Sequence, residues 1–287
     1  MSHPPGFYRT QLGAFEAIAL HDGTLVRDRP PGFVRNASDA DVSEAFAAAG
    51  MAPDKLTLTF TALAIRTPDG VVLIDTGFGD SGPPSAGNLL ANLQAAGHQP
   101  GDVTTLIISH FHGDHVGGIR RKDGALTFPN AKIYVPKPEW DYFMDDANAA
   151  SAPAMLKDTF TAVRTIFGPN ANEVTKFAWG DEIIPGFKSI QADGHTPGMS
   201  AIEITSGDEK LLFTADITNN PLIFARHPTW QAIFDLDPDR AIATRRRILD
   251  QAAADKRRLF YFHAPFPAMG TVVKSGDGYE YLPALWA

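Results

Sequence analysis

The chain has 287 residues, of which 44% are hydrophobic and 20% charged, with a formal net charge of −8 and no cysteine. That is ordinary globular composition at a length that supports a substantial core. The acidic balance argues against nucleic acid, whose phosphates require a basic face, and the missing cysteines remove disulfides, thiolate ligands and thiol nucleophiles.

In chain order, Met1-Ser2-His3-Pro4-Pro5 has neither a basic start nor an apolar stretch, so it does not read as a signal peptide. No later run approaches the roughly 18 apolar residues of a membrane helix, and a cytoplasmic protein that does not enter the membrane is expected. Residues 1–54 read as an N-terminal arm, with a strand at 15–20, a turn at His21-Asp22-Gly23 and a helix from Ser38 to Ala49. Ser38 is its N-cap and Gly50 its stop. Strands follow at 57–65 and 71–74, joined by the turn Thr67-Pro68-Asp69-Gly70, and the second runs into Asp75-Thr76-Gly77. Residues 88–96 have helical apolar spacing, and 106–108 form a short apolar strand.

Directly after that strand comes His110-Phe111-His112-Gly113-Asp114-His115. His110 and His112, two apart on an extended segment, point the same way. Gly113 then lets the chain turn and aim Asp114 and His115 at a neighbouring point. Three imidazoles and a carboxylate in six positions suit zinc and are too dense for core packing.

The pattern of strands ending in chemistry continues. A strand is expected at 131–135, helices at 138–144 and 154–167, and a strand at 187–192 leading to Gly194-His195. Residues 201–205 and 211–215 read as a hairpin around Ser206-Gly207-Asp208, ending at Asp216. Asp237-Pro238 opens a helix that carries Arg245-Arg246-Arg247, read as a solvated basic face. A last strand at 259–262 delivers His263. The isolated His3, His21, His98 and His227 read as surface or hydrogen-bonded residues. No composition shift marks a linker, so residues 1–287 are expected to form one domain of sheets covered by helices.

The hexapeptide H-F-H-G-D-H resembles the His-X-His-X-Asp-His signature of the metallo-β-lactamase superfamily. Gly194-His195-Thr196-Pro197-Gly198, Ala215-Asp216 and His263 match its later stations in order, and Leu73-Ile74-Asp75-Thr76-Gly77 matches an earlier turn. The resemblance implies an α/β fold, a four-layer αββα sandwich, with two divalent metal ions, zinc by ligand type. It implies that His110, His112 and His195 hold one ion and Asp114, His115 and His263 the other. Asp216 would bridge them, with Asp75 behind the ligands. The activity implied is hydrolysis by a hydroxide shared between the ions, with Asp114 or Asp216 handling the proton.

Within the superfamily, the missing cysteine separates the chain from one β-lactamase subclass, and Asp216 separates it from β-lactamases generally. Gly6 to Glu16, Ala91 to Pro100, Leu126 to Ala131, Val116 to Gly118 and His263 to Gly270 resemble methyl parathion hydrolases. These and the N-acyl homoserine lactonases are the groups it is most similar to. Asn219 stands where several lactonases carry a tyrosine. Phe78, Phe111, Phe143, Met199, Asn219, Phe224 and Phe266 lie near ligand stations and are expected to line a pocket for a hydrophobic ester, lactone or phosphotriester, although the aromatic residues suit a core equally well. A glyoxalase II-like thioesterase and a non-hydrolytic iron oxidoreductase of persulfide dioxygenase type use the same scaffold. The parathion-hydrolase resemblance further implies a homodimer held by the arm, which deletion of the residues before Lys55 would reduce to monomers.

Overall fold

The computed structural model describes residues 6–284, so His3 lies outside the described residues. Each half of the chain builds one seven-stranded sheet, in sequential strand order. The first comprises β1 (Phe7–Leu12), β2 (Phe15–Asp28), β3 (Lys55–Thr67), β4 (Gly70–Ile74), β5 (Val103–Ile107), β6 (Lys132–Pro136) and β7 (Thr175–Phe177). The second comprises β8 (Glu182–Ile184), β9 (Phe187–Gln191), β10 (Ser200–Ser206), β11 (Glu209–Phe213), β12 (Arg258–Phe260), β13 (Met269–Ser275) and β14 (Gly278–Pro283).

The helices are α1 (Asp39–Ala48), α2 (Leu89–Ala95), α3 (Gly113–Val116), α4 (Lys137–Met144), α5 (Asp146–Ser151), α6 (Ala154–Phe167), α7 (Pro221–Phe224) and α8 (Pro238–Ala254). They complete a four-layer αββα sandwich, in which α2 packs on β2, α4 on β6 and β7, and α8 on β13. One apolar core draws on both sheets. The inner strands are sealed on both faces, so Phe60 to Ile65 of β3 and Val71 to Ile74 of β4 are continuously buried rather than alternating. Backbone bonds also stitch sheet to sheet, from Thr61 N to Phe262 O and from Ser200 N to Ser109 O, both at 3.0 Å.

Several local expectations meet their physical reasons directly. Ser38 caps α1 by accepting from Asp41 N, and Asp237 caps α8 by accepting from Arg240 N. Ser206 pairs with Glu209 across a two-residue turn that closes the β10–β11 hairpin.

The first fifty residues differ from the reading of an arm. Residues 7–28 supply two strands of the first sheet, and Ala17 to Leu20 are wholly buried. The chain does not turn at His21-Asp22-Gly23: β2 runs through it with a bulge at Asp22. The bulge turns the Asp22 carboxylate inward, where it accepts from Phe78 N and Leu89 N, each at 3.0 Å. Val42 and Phe46 of α1 form a separate apolar cluster with Phe33, Val34, Leu56, Ile223, Phe224 and Ala232. Among the described residues no helix is long and apolar enough to cross a membrane.

The topology fixes where chemistry can be placed. Strands β4, β5, β6 and β7 pair in parallel, as do β11 and β12. Their carboxyl ends open on one edge of the sandwich, the usual position for sites in parallel sheets. Asp75, the hexapeptide, Asp216 and His263 follow β4, β5, β11 and β12, and His195 sits in the loop after β9.

Candidate metal centre

The strand ends bring seven predicted residues into one cluster. Ligand atoms of His110, His112 and His195 lie within 4.8 Å of one another, as do those of His110, His115 and Asp216 and those of Asp114, His115 and His263. His112 Nδ1 stands 3.1 Å from His110 Nε2 and 2.9 Å from His195 Nε2. Asp216 lies among the groups, with one oxygen 3.3 Å from His115 Nε2 and the other 3.4 Å from His195 Nε2 and 2.9 Å from His263 Nε2. Ala215, which presents it, has φ 49, and Asp75 has φ 60. Non-glycine residues rarely adopt such angles unless their surroundings hold them there.

The outer partners of the rings decide which way their lone pairs face. His263 Nδ1 lies 2.9 Å from Thr59 O, a pure acceptor, so that nitrogen carries hydrogen. His195 Nδ1 faces Asp235 Oδ1 at 3.0 Å, and the other oxygen of Asp235 pairs with Arg245 Nη2 at 3.3 Å. His115 Nδ1 donates to Asp75 Oδ2 at 2.7 Å. Asp75 also accepts from Ser109 N and Ser109 Oγ, both at 2.7 Å, so it orients both a ring and the start of the hexapeptide. Three Nε2 lone pairs are thereby turned inward onto one another and onto carboxylates.

Such a set is repulsive unless positive charge stands among it. His115 Nε2 and Asp216 Oδ1 are buried without a hydrogen-bond partner. Burial disfavours charge on His115, yet Asp114, Asp216 and Asp75 raise its proton affinity well above the ordinary imidazole value. His263 is raised by Asp216 and Asp114 in the same way, again against burial. Burial and neighbouring imidazoles instead hold His110 well below its ordinary value and bring His112 to about 3. Burial pushes the Asp114 carboxyl up, but His115 and His263 outweigh it and leave it at about 2. Oriented imidazoles and the unpaired Asp216 Oδ1 fit divalent cations of the zinc kind.

The centre forms the floor of a cavity of about 550 Å³. His112, Asp114, His195, Asp216 and His263 face it, with walls of Leu25, Leu58, Phe60, Phe78, Leu156, Ile233 and Phe234. Exposed Arg27 and Arg35 also line it. Of the residues expected on the wall, Phe78 and Asn219 are there. Phe111 and Phe143 are in the main core instead, each fully buried, with Phe111 against Phe143 and Phe167. Met199 is in the same core, and Phe224 is in the cluster around α1. Phe266 rests against the His21 ring. Phe111, between His110 and His112 on an extended segment, points away from the two ligands that flank it.

Three contributors have no motif. Asp235, Glu139 and Arg245 are buried and hold ligand loops through hydrogen bonds that span 10 to 59 residues of sequence. Arg245 is not part of a solvated basic face: it is 1% exposed and turned inward.

Comparisons with known proteins agree with this geometry. The model of the metallo-beta-lactamase superfamily matches residues 61–263. The N-acyl homoserine lactonase AiiA of Bacillus thuringiensis subsp. kurstaki is 24% identical over 235 residues, covering 74% of this chain and 84% of the relative. The solved structure of AidC, a dizinc quorum-quenching lactonase, is 30% identical with TM-score 0.92, covering 98% of each chain. The hydrolase AbOPH in the beta lactamase superfamily is 28% identical with TM-score 0.92 and full coverage of both chains.

Proposed function

This chain belongs to the metallo-β-lactamase superfamily, and we propose that it is a dinuclear zinc lactonase acting on small, hydrophobic lactones. At the coarser level it is a metal-dependent hydrolase with lactonase-like relatives. The observation that carries the finer reading is the apolar cavity of about 550 Å³ whose floor is the His and Asp cluster. A pocket of that size and wall chemistry accepts an uncharged apolar substrate and sets its polar end against the ligands.

His110, His112 and His195 would hold one ion and Asp114, His115 and His263 the other, with Asp216 between them. Two divalent ions there supply Lewis acidity and hydroxide near neutral pH. The chain's own residues do the rest. Asp114, ionised and partly open to the cavity, accepts the proton released during attack and can return it to the leaving oxygen. Asp216, ionised and almost fully buried, keeps the two ligand groups together. Phe60 and Phe78, edge to face at 4.9 Å, form an apolar, water-excluding part of the cavity wall. A homodimer is part of the proposal and is read by light scattering.

The test is a substrate panel on zinc-loaded protein: N-acyl homoserine lactones of varied acyl length, aryl esters, phosphotriesters, a thioester and a β-lactam. Lactones are expected to give the highest kcat/KM. Preference for the thioester, or iron with oxygen consumption, would overturn the reading in favour of the thioesterase or the oxidoreductase. Preference for a phosphotriester would keep the hydrolase and replace its substrate.

A further inference from the structure

Arg245, on α8, is the bulkiest fully buried side chain among the described residues, and its hydrogen bonds go to Ile217, Pro228, Trp230 and Asp235 rather than to the groups that converge on the centre. A buried guanidinium needs every donor satisfied. Its Nε donates to Ile217 O at 2.7 Å, and Nη1 donates to Pro228 O at 3.0 Å and Trp230 O at 2.8 Å. Its Nη2 lies 3.3 Å from Asp235 Oδ2, while the other oxygen of Asp235 faces His195 Nδ1 at 3.0 Å. The face of Phe224 covers the guanidinium from 5.2 Å.

Two of these contacts end next to the metal centre. Asp235 is the outer partner of His195. Ile217 follows Asp216, whose other neighbour, Ala215, is held at φ 49. One rigid cation therefore reaches behind two ligand loops that come from separate strands. We propose that Arg245 is a positioning residue for the metal centre: through Asp235 it fixes the ring and tautomer of His195, and through the Ile217 carbonyl it fixes the turn that presents Asp216. The proposal rests on the reading of the centre as a metal site.

The competing explanation is that Arg245 only fills space and satisfies carbonyls at 217, 228 and 230. A methionine of similar length would fill the space, and lysine would keep the charge while losing the planar fork that reaches four acceptors at once. The two roles separate in a double-mutant cycle, because coupling through Asp235 makes the effects non-additive.

The experiment uses the full chain and the variants Arg245→Met, Arg245→Lys, Asp235→Asn and Arg245→Met/Asp235→Asn. Zinc affinity is read by competition with a chromogenic chelator, and the cobalt(II) absorption spectrum reports ligand geometry. Circular dichroism of the metal-free proteins reports the fold. Arg245→Met and Asp235→Asn are each expected to weaken at least one ion by about 10–100-fold, the usual effect of removing an outer partner. The loss from Arg245→Met should shrink several-fold in the Asp235→Asn background. Arg245→Lys should fold, shift the cobalt spectrum and bind with intermediate affinity. Wild-type affinity and spectrum in Arg245→Met, or the same factor of loss in both backgrounds, would overturn the proposal and leave Arg245 a filler. If Arg245→Met does not fold, the cycle is run with Arg245→Lys under the same criterion. Failure of the wild-type chain to bind zinc or cobalt would overturn the reading of the centre itself, a result distinct from the others.

Discussion

Glu139 accepts the backbone amide of Phe111 at 3.0 Å, between His110 and His112, from a position with no solvent exposure. Its second oxygen accepts from Thr196 Oγ1 at 2.9 Å and from Gly198 N at 2.7 Å, next to His195. One buried carboxylate thus ties together the two segments that carry four of the imidazoles. The approach is close enough that a Cβ on Gly198 would come within 1.9 Å of Glu139 N, which accounts for the glycine closing Gly194 to Gly198.

Burial pushes Glu139 up to about 7, against the three donors that pull it down. The folded value lies above the unfolded value of 4.5, so between those pH values the native state binds a proton that the unfolded chain does not. Stability therefore falls as pH rises through that window, by up to about 3 kcal/mol. In Glu139→Gln this slope should vanish, and the amide must also turn its NH2 toward a backbone donor, costing about 1–3 kcal/mol. Thermal midpoints of both proteins from pH 4.5 to 8 check this, and parallel pH profiles would sink it.

Asp22 and Gly77 make a second tie. Gly77 has φ 67, and a Cβ there would come within 2.5 Å of the Asp22 carboxyl group. Gly77→Ala should therefore destabilise the chain by about 2 kcal/mol or more, through strain and the clash together. Asp22→Asn should cost less and act on function, since it disturbs the amide of Phe78 on the cavity wall. Urea unfolding gives the first result. A KM raised more than kcat is lowered gives the second, and an unchanged KM would contradict it.

The strand ends that carry chemistry were legible because polar residues there interrupt apolar runs: His110 after 106–108, Asp216 after 211–215 and His263 after 259–262. Hydrophobic periodicity also located α6 and α8. What escaped were ties with no local pattern. Asp235 follows no strand, Glu139 reads as an ordinary helix residue, and Arg245 sits in a run of three arginines of which only the structure distinguishes the inward one. Asp22 looked like a turn aspartate because a β-bulge and a turn share the same residue types.

Removal of metal should be both destabilising and pH-dependent. Asp114 and Asp216 raise the proton affinity of His115 and His263, so an ion must displace protons to bind. Affinity should increase with pH until those imidazoles are neutral, and at least about one proton per chain should be released near pH 7. Calorimetric titration of metal-free protein in two buffers of different ionisation enthalpy measures the release. Identical apparent enthalpies would refute it. Chelation should lower the thermal midpoint, because an ion at 100 times its Kd stabilises by about 2.7 kcal/mol.

Deletion of the residues before Lys55 tests whether the N-terminal segment is an appendage. Strand β2 pairs with β3 from Glu16↔Arg66 to Asp28↔Lys55, with one bulge. Its Ala17, Ile18, Ala19 and Leu20 are fully buried in the main core. Truncation removes those contacts, bares one edge of β3 and takes away Phe33, Val42 and Phe46, which support Ile223 and Phe224. Burying each of Ile18, Leu20, Phe33, Val42 and Phe46 contributes about 1.5–3 kcal/mol, so together they are comparable to the 5–15 kcal/mol that typically holds a domain together. The truncated chain should therefore aggregate or unfold rather than become a folded monomer, since an exposed apolar edge strand invites pairing with other chains. Circular dichroism and light scattering decide it: a folded, monodisperse truncated protein would show that the segment is dispensable after all.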